Sequence, residues 1–153
     1  MTQSNGAVSD LSGLLLGSKF WIEIEGVLEA VFTDCQGLSI QTEVFEYKEG
    51  GLNTTVHRLP GRTSYVNIVL KRGLLQSTKM SDWYKKTVGG YPERKEISII
   101  LYSKEEPSKA KKRWNVHGAY PVKWNVSELK ATSNDYLIET IELAHTGFEE
   151  VSV

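Results

Sequence analysis

The sequence predicts a mainly β protein, an antiparallel sandwich or open barrel with one flanking α-helix at about residues 75–88. Three observations carry that expectation. Several segments alternate apolar and polar residues with period two, as half-buried strands do. One segment carries its apolar residues at helical spacing. Turn signals punctuate the chain at short intervals.

The first alternating segment is 19–25, KFWIEIE, with Phe20, Ile22 and Ile24 on one side and Trp21, Glu23 and Glu25 on the other. Gly26 opens a turn, and a second strand is expected at about 30–35, before Gln36-Gly37. A third, 39–47 (SIQTEVFEY), mixes apolar and polar side chains on both faces. Then comes 46–65, EYKEGGLNTTVHRLPGRTSY, with Gly50-Gly51 and Pro60-Gly61 as turn signals around a short β-leaning run. The segment 64–71, SYVNIVLK, alternates with Val66, Ile68 and Leu70 inward, and Arg72-Gly73 ends it.

The period changes once. Met80, Trp83, Tyr84 and Val88 fall at i, i+3, i+4 and i+8, with Ser77 as the expected N-cap and Gly89-Gly90 as the stop. Strands resume at 96–102, 113–117 and 119–126, where Pro121 marks an edge or a bend. A charged loop covers 105–112. In the last strand, 135–146, Leu137, Ile141 and Leu143 are spaced by even numbers, and the Ile, Thr and Tyr content favours strand over helix.

At 153 residues the chain suits one domain. Residues 19–153 are read as that domain and 1–18 as a polar N-terminal arm with one sticky spot at Leu14-Leu15-Leu16. Lys+Arg is 18 and Asp+Glu is 19, a balance that argues against nucleic acid as the main ligand. The single cysteine, Cys35, can neither close an internal disulfide nor build a cysteine-based zinc site. No apolar run approaches the roughly 20 residues a bilayer crossing needs. The N-terminus lacks a basic start and a long apolar region, so synthesis and assembly in the cytoplasm without a signal peptide are expected, with no stable membrane association.

Catalytic constellations do not survive inspection. A phosphate loop needs Gly-Lys-Ser/Thr opening a helix, whereas Gly61-Arg62-Thr63 opens a strand. His57, His117 and His145 form no metal-ligand spacing. A lone strand cysteine reads as a small hydrophobe rather than a nucleophile. Glu105-Glu106 and Glu149-Glu150 are chain neighbours, so on a strand they point to opposite faces. The basic run 109–113 lacks aromatic interleaving and reads as solvated. No enzyme activity, cofactor or metal is expected. Trp83 and Trp114 fit core positions. Trp21 and Trp124 are left open between sheet covering and interface anchors. A β domain whose sheet edges must be covered or paired points to assembly or binding.

Five pieces, in order, resemble the T4-type tail tube family of contractile phage tails and phage-tail-like contractile injection systems. They are FWIEIEGVLEAVFTDCQGL, EYKEGG with its following LPG, NIVLKRG, WNVHGAYPVKWNV and SNDYLIETIELAHTGFE, together spanning about 18–149. The resemblance implies hexameric rings in which the sheets close into one continuous β-barrel, and head-to-tail stacking of those rings into a hollow tube. It implies a surrounding sheath whose contraction drives the tube into a target, baseplate and tube-terminating partners, and protein cargo or DNA in the lumen. Release of the particle from the cell is part of the same expectation.

In that family the 46–65 segment is an extended hairpin or loop packing on neighbouring subunits. The expected inter-subunit contacts are therefore Glu46, Lys48, Glu49, Gly50, Gly51, Asn53, Thr54, His57, Arg58, Pro60, Gly61 and Arg62. Glu43, Asn67, Lys71, Glu139 and Glu142, polar positions on alternating strands, are the lumen-facing candidates. Two alternatives stand beside this reading: a type VI secretion-like hexameric tube protein, and a monomeric β-sandwich binding module with a groove at Trp21 and Trp124.

Overall fold

The structure, a computed structural model, describes residues 15, 20–25, 27–30, 32–51, 55–103 and 105–153, with 27–30 given as a strand path alone. The expected arm at 1–18 lies outside the described residues except for Leu15. The strands are β1 (Phe20–Ile24), β2 (Val27–Ala30), β3 (Asp34–Gln36), β4 (Ile40–Lys48), β5 (Val56–Tyr65), β6 (Ile68–Gly73), β7 (Lys95–Tyr102), β8 (Ala110–Val126), β9 (Ile138–Ala144) and β10 (Gly147–Val151). One helix, α1 (Lys79–Val88), sits between β6 and β7.

The mainly β, antiparallel expectation holds. Eight strands run in the order β2-β1-β7-β8-β9-β6-β3, with β10 also on β8. The sheet folds over on β8, whose 17 residues serve both halves. Its first half pairs with β7 and β10, and its second half pairs with β9. Between them Gly118 takes φ +61°, a left-handed value that glycine reaches without strain. The sequence predicts two strands here, 113–117 and 119–126, where the structure has one. The register also slips between Pro121 and Lys123, so Pro121 marks a bulge.

Period two decides the core. Ile22 and Ile24 from β1, Ile97 and Ile99 from β7, and Val116 from β8 form one wall. Ile68 and Leu70 from β6, with Ile141 and Leu143 from β9, form the other, and all nine join one buried cluster. Met80 and Trp83 of α1 close one end of it. Trp114 and Trp124 pack against the same cluster, which places Trp124 on the core side of its strand.

Two boundaries and two exposures differ from expectation. The strand expected at about 30–35 is two, β2 and β3, separated by 31–33. The helix starts at Lys79 rather than near 75, with Thr78 at the N-cap instead of Ser77. Its Val88 is 70% exposed, because the helix ends at Gly89 before that face turns back to the sheet. Val66 is exposed rather than inward, since it lies in the break between β5 and β6.

Candidate assembly surfaces

Among the described residues, β4 and β5 pair only with each other, from Ile40 opposite Tyr65 to Lys48 opposite Val56, and so stand apart from the main sheet. The mixed pattern of 39–47 follows from this: neither face of β4 meets the core. Ile40, Val44, Phe45, Tyr47, Val56 and Leu59 are all exposed, with Phe45 at 60%. Their alternation puts Phe45, Tyr47 and Leu59 on one face and Ile40, Val44 and Val56 on the other.

Glu46 opposes Arg58, and Tyr47 opposes His57, whose Nε2 lies 3.9 Å from Glu49 Oε1. Gly50-Gly51 makes the tip turn, with Gly51 at φ +99°. Asn53 and Thr54 lie outside the described residues.

Pro60-Gly61 is not a turn. Both residues lie within β5, where the register slips against Thr42 and Val44. The extra residue makes a β-bulge, which absorbs a proline that cannot donate to the ladder. A Cβ on Gly61 would meet the Phe45 ring at 2.5 Å, so glycine is required for that ring to lie across the strand. Arg62 is exposed beside the bulge.

The root of the hairpin is built from aromatics. Tyr65 stands edge-on to His145 and Phe148, with centroids 5.7 and 5.6 Å away. His145 Nε2 lies 2.8 Å from Val66 O. A Cβ on Gly147, at φ +148°, would press on the Tyr65 ring at 3.2 Å. The run AHTGF at 144–148 thus serves as the seat of the hairpin.

A second surface is the outer face of the four strands β3, β6, β9 and the second half of β8. Asp34 pairs with Lys71, Val69 with Glu142, and Lys123 with Glu142 in register, so these side chains share the face opposite the core. Asn67 Nδ2 donates to Glu142 Oε1 at 3.0 Å. Lys71, Asn67 and Glu142 are therefore neighbours. Glu43 sits elsewhere, exposed on β4.

Glu139 does not belong to this face. It is 4% exposed, on the core side of β9, where Arg72 Nε donates to its Oε2 at 2.7 Å and Trp124 Nε1 donates to its Oε1 at 2.8 Å. Arg72, equally buried, lies with its guanidinium carbon 5.9 Å from the Phe32 ring centroid.

Both lateral edges of this half-sheet are free among the described residues. β3 pairs only with β6, and residues 120–126 of β8 pair only with β9.

Charge also gathers at the bend of β8. His117 Nδ1 lies 2.7 Å from Glu96 Oε2, and its Nε2 lies 3.3 Å from Glu149 Oε1. The Gly118 N–H donates to Glu96 Oε1 at 3.1 Å. That backbone bond and the imidazole hold Glu96 below the usual carboxylate range. Glu96, then Glu149, raises the His117 pKa above its ordinary value. Burial pushes the Cys35 thiol up to about 11, consistent with an inert packing residue. Among the described residues, no group of three or more His, Cys, Asp or Glu is arranged to hold a metal ion.

The family model for the T4-like virus tail tube protein gp19 matches residues 17–149. No curated protein matches the sequence. A chain in the extended sheath–tube complex of an extracellular contractile injection system, PVC, is 26% identical, with a TM-score of 0.82 over 100% of this chain and 99% of that one. A chain in the tube-terminating cap of the anti-feeding prophage is 25% identical, with a TM-score of 0.81 over 92% of each. Hcp1 from Flavobacterium johnsoniae is more distant, 17% identical with a TM-score of 0.52 over 86% of this chain and 93% of that one.

Proposed function

The chain belongs to the T4-like virus tail tube protein family, and on that premise we propose that its free sheet edges join copies into closed hexameric rings that stack head to tail. The chain is a structural inner tube subunit of a contractile tail or an extracellular contractile injection system. The observation that carries ring closure is the half-sheet with two unpaired edges. An open antiparallel sheet must cover or pair its edges, and a ring of copies pairs every one. Around such a ring the hairpin contacts of Glu46, Lys48, Glu49, Arg58 and Arg62 lie between subunits, and Asn67, Lys71 and Glu142 face the lumen.

A sheath outside the tube, a baseplate and a tube terminator are the protein partners, and protein cargo or DNA occupies the lumen. The subunit is assembled in the cytoplasm into a particle that is released or carried on a phage. The weaker likeness to Hcp1 gives the type VI reading less support.

Negative-stain imaging of the purified wild-type protein tests the reading. Hollow tubes of stacked six-fold rings are expected. A clean monomer at high concentration would overturn it in favour of a binding module.

A further inference from the structure

We propose that the groove beside the 127–137 loop is the seat for the β4–β5 hairpin of a copy in the next ring. This rests on the tube reading above and adds the acceptor surface to it. Strand direction supplies the geometry. β6 leaves the hairpin root at Ile68 and ends at Gly73, after which Leu74 N–H donates to Leu137 O at 2.9 Å. β9 runs back from Ile138 to Ala144, toward the Tyr65–His145 seat. Ser127 N–H to Ile138 O, at 2.8 Å, pins the loop's base. The hairpin root and the loop therefore occupy opposite ends of the same strands.

In a closed barrel the strands tilt only about 35–45° from the axis, so strand edges face lateral neighbours and strand ends form the two rims. Stacking identical rings head to tail brings one rim onto the other. Such a heterologous contact needs two different, mutually complementary patches.

Both patches have matching character. On the loop, Leu129 is 73% and Tyr136 94% exposed, beside a groove bordered by Glu128, Lys130 and Asp135. On the hairpin, Phe45 and Tyr47 are 60% and 56% exposed on one face, and Glu46, Lys48 and Arg58 line the other. Large apolar side chains left this open mark a contact surface. Charges of both signs on each side fix a register. With nine residues in β4, at about 3.3 Å each, the hairpin reaches roughly 30 Å, enough to leave its own rim.

The test combines a variant with cross-linking. In Leu129→Asp/Tyr136→Asp both changed positions are exposed, so the subunit folds, as circular dichroism would confirm. Single rings are expected under conditions where the wild type gives tubes. Carbodiimide treatment of wild-type tubes should couple a hairpin peptide to a 127–137 peptide through Lys48 or Lys130, and mass spectrometry reads the coupling. Normal tubes from the variant overturn the docking site and leave the tube reading standing. Hairpin cross-links that land only outside 127–137 do the same. A wild-type protein that forms no rings overturns both.

Discussion

His117 shows how little local sequence is needed to build a charged clamp, and how hidden it is before folding. Its partners Glu96 and Glu149 come from the two strands flanking β8. The sign of its pH dependence follows from linkage. A raised histidine pKa contributes stability that is complete below the ordinary 6.5 and lost as pH rises through the folded value. The lowered Glu96 pKa contributes stability present above the ordinary 4.5 and lost as pH falls through its folded value. The clamp is therefore strongest between those two ordinary values. Exposed pairs contribute at most about 1 kcal/mol, so the unassembled subunit should melt higher at pH 5.5 than at pH 8.5, by no more than about 2–4 °C from this source. His117→Gln should abolish that difference, and an unchanged pH profile in the variant would assign it to other groups.

The buried Arg72–Glu139 pair carries the opposite lesson, because its placement was legible. Glu139 shares the parity of Ile141 and Leu143, and Arg72 that of Ile68 and Leu70. Alternation alone assigns both to the core; charge alone suggested the lumen for Glu139. Parity prevailed because the two charges neutralise each other and Trp124 satisfies the carboxylate's second oxygen. Removing one partner leaves a buried charge, so Glu139→Ala should cost about 3–5 kcal/mol in urea unfolding. Glu139→Gln, which keeps an acceptor for Trp124, should cost less. Equal losses from the two variants would mean that the lost charge accounts for the whole cost and the retained acceptor for none of it.

At the scale of elements, periodicity located the strands whose alternate residues meet the core over several positions and blurred where such a face was short or absent. β1, β7 and β9 were legible because alternate residues meet the core. β4 was a mixed pattern until the hairpin explained it, although Gly37 marked its start to within a few residues. Pro60-Gly61 looked like a turn because both residues favour turns. The same pair serves a bulge, where a missing N–H and a missing Cβ are equally tolerated. β10 is not among the expected strands, because Gly147, its first residue, reads as a break after β9. The hairpin contributes no residue to the buried cluster. Deleting residues 50–58 should therefore leave circular dichroism and melting temperature near those of the wild type while eliminating tubes in the microscope. A variant that still builds tubes would make the hairpin dispensable for assembly. Gly61→Val is the subtler form of this test. Its side chain must displace the Phe45 ring, so assembly should weaken without loss of the core fold.

Across the whole molecule, one sheet does two jobs by folding on β8: its inner faces make the core, and the outer face of one half is polar. That outer face carries Asp34, Lys71, Lys123 and Glu142, with opposite charges in register across neighbouring strands. Two charges of each sign on this face sum to zero, which leaves little net field to hold a charged cargo. Lys71→Glu with Lys123→Glu converts the balanced face into one carrying four carboxylates per subunit. Neither lysine touches the core, so folding and tube formation should persist. On the proposed lumen placement, tubes of the variant should retain a fluorescent basic peptide that wild-type tubes release, and 0.5 M salt should free it, because a Debye length of about 4 Å at that ionic strength screens all but direct contacts. An acidic peptide of equal length controls for simple trapping. Loss of tubes in the double variant would instead place these side chains at subunit contacts, moving the lumen to the opposite half of the sheet.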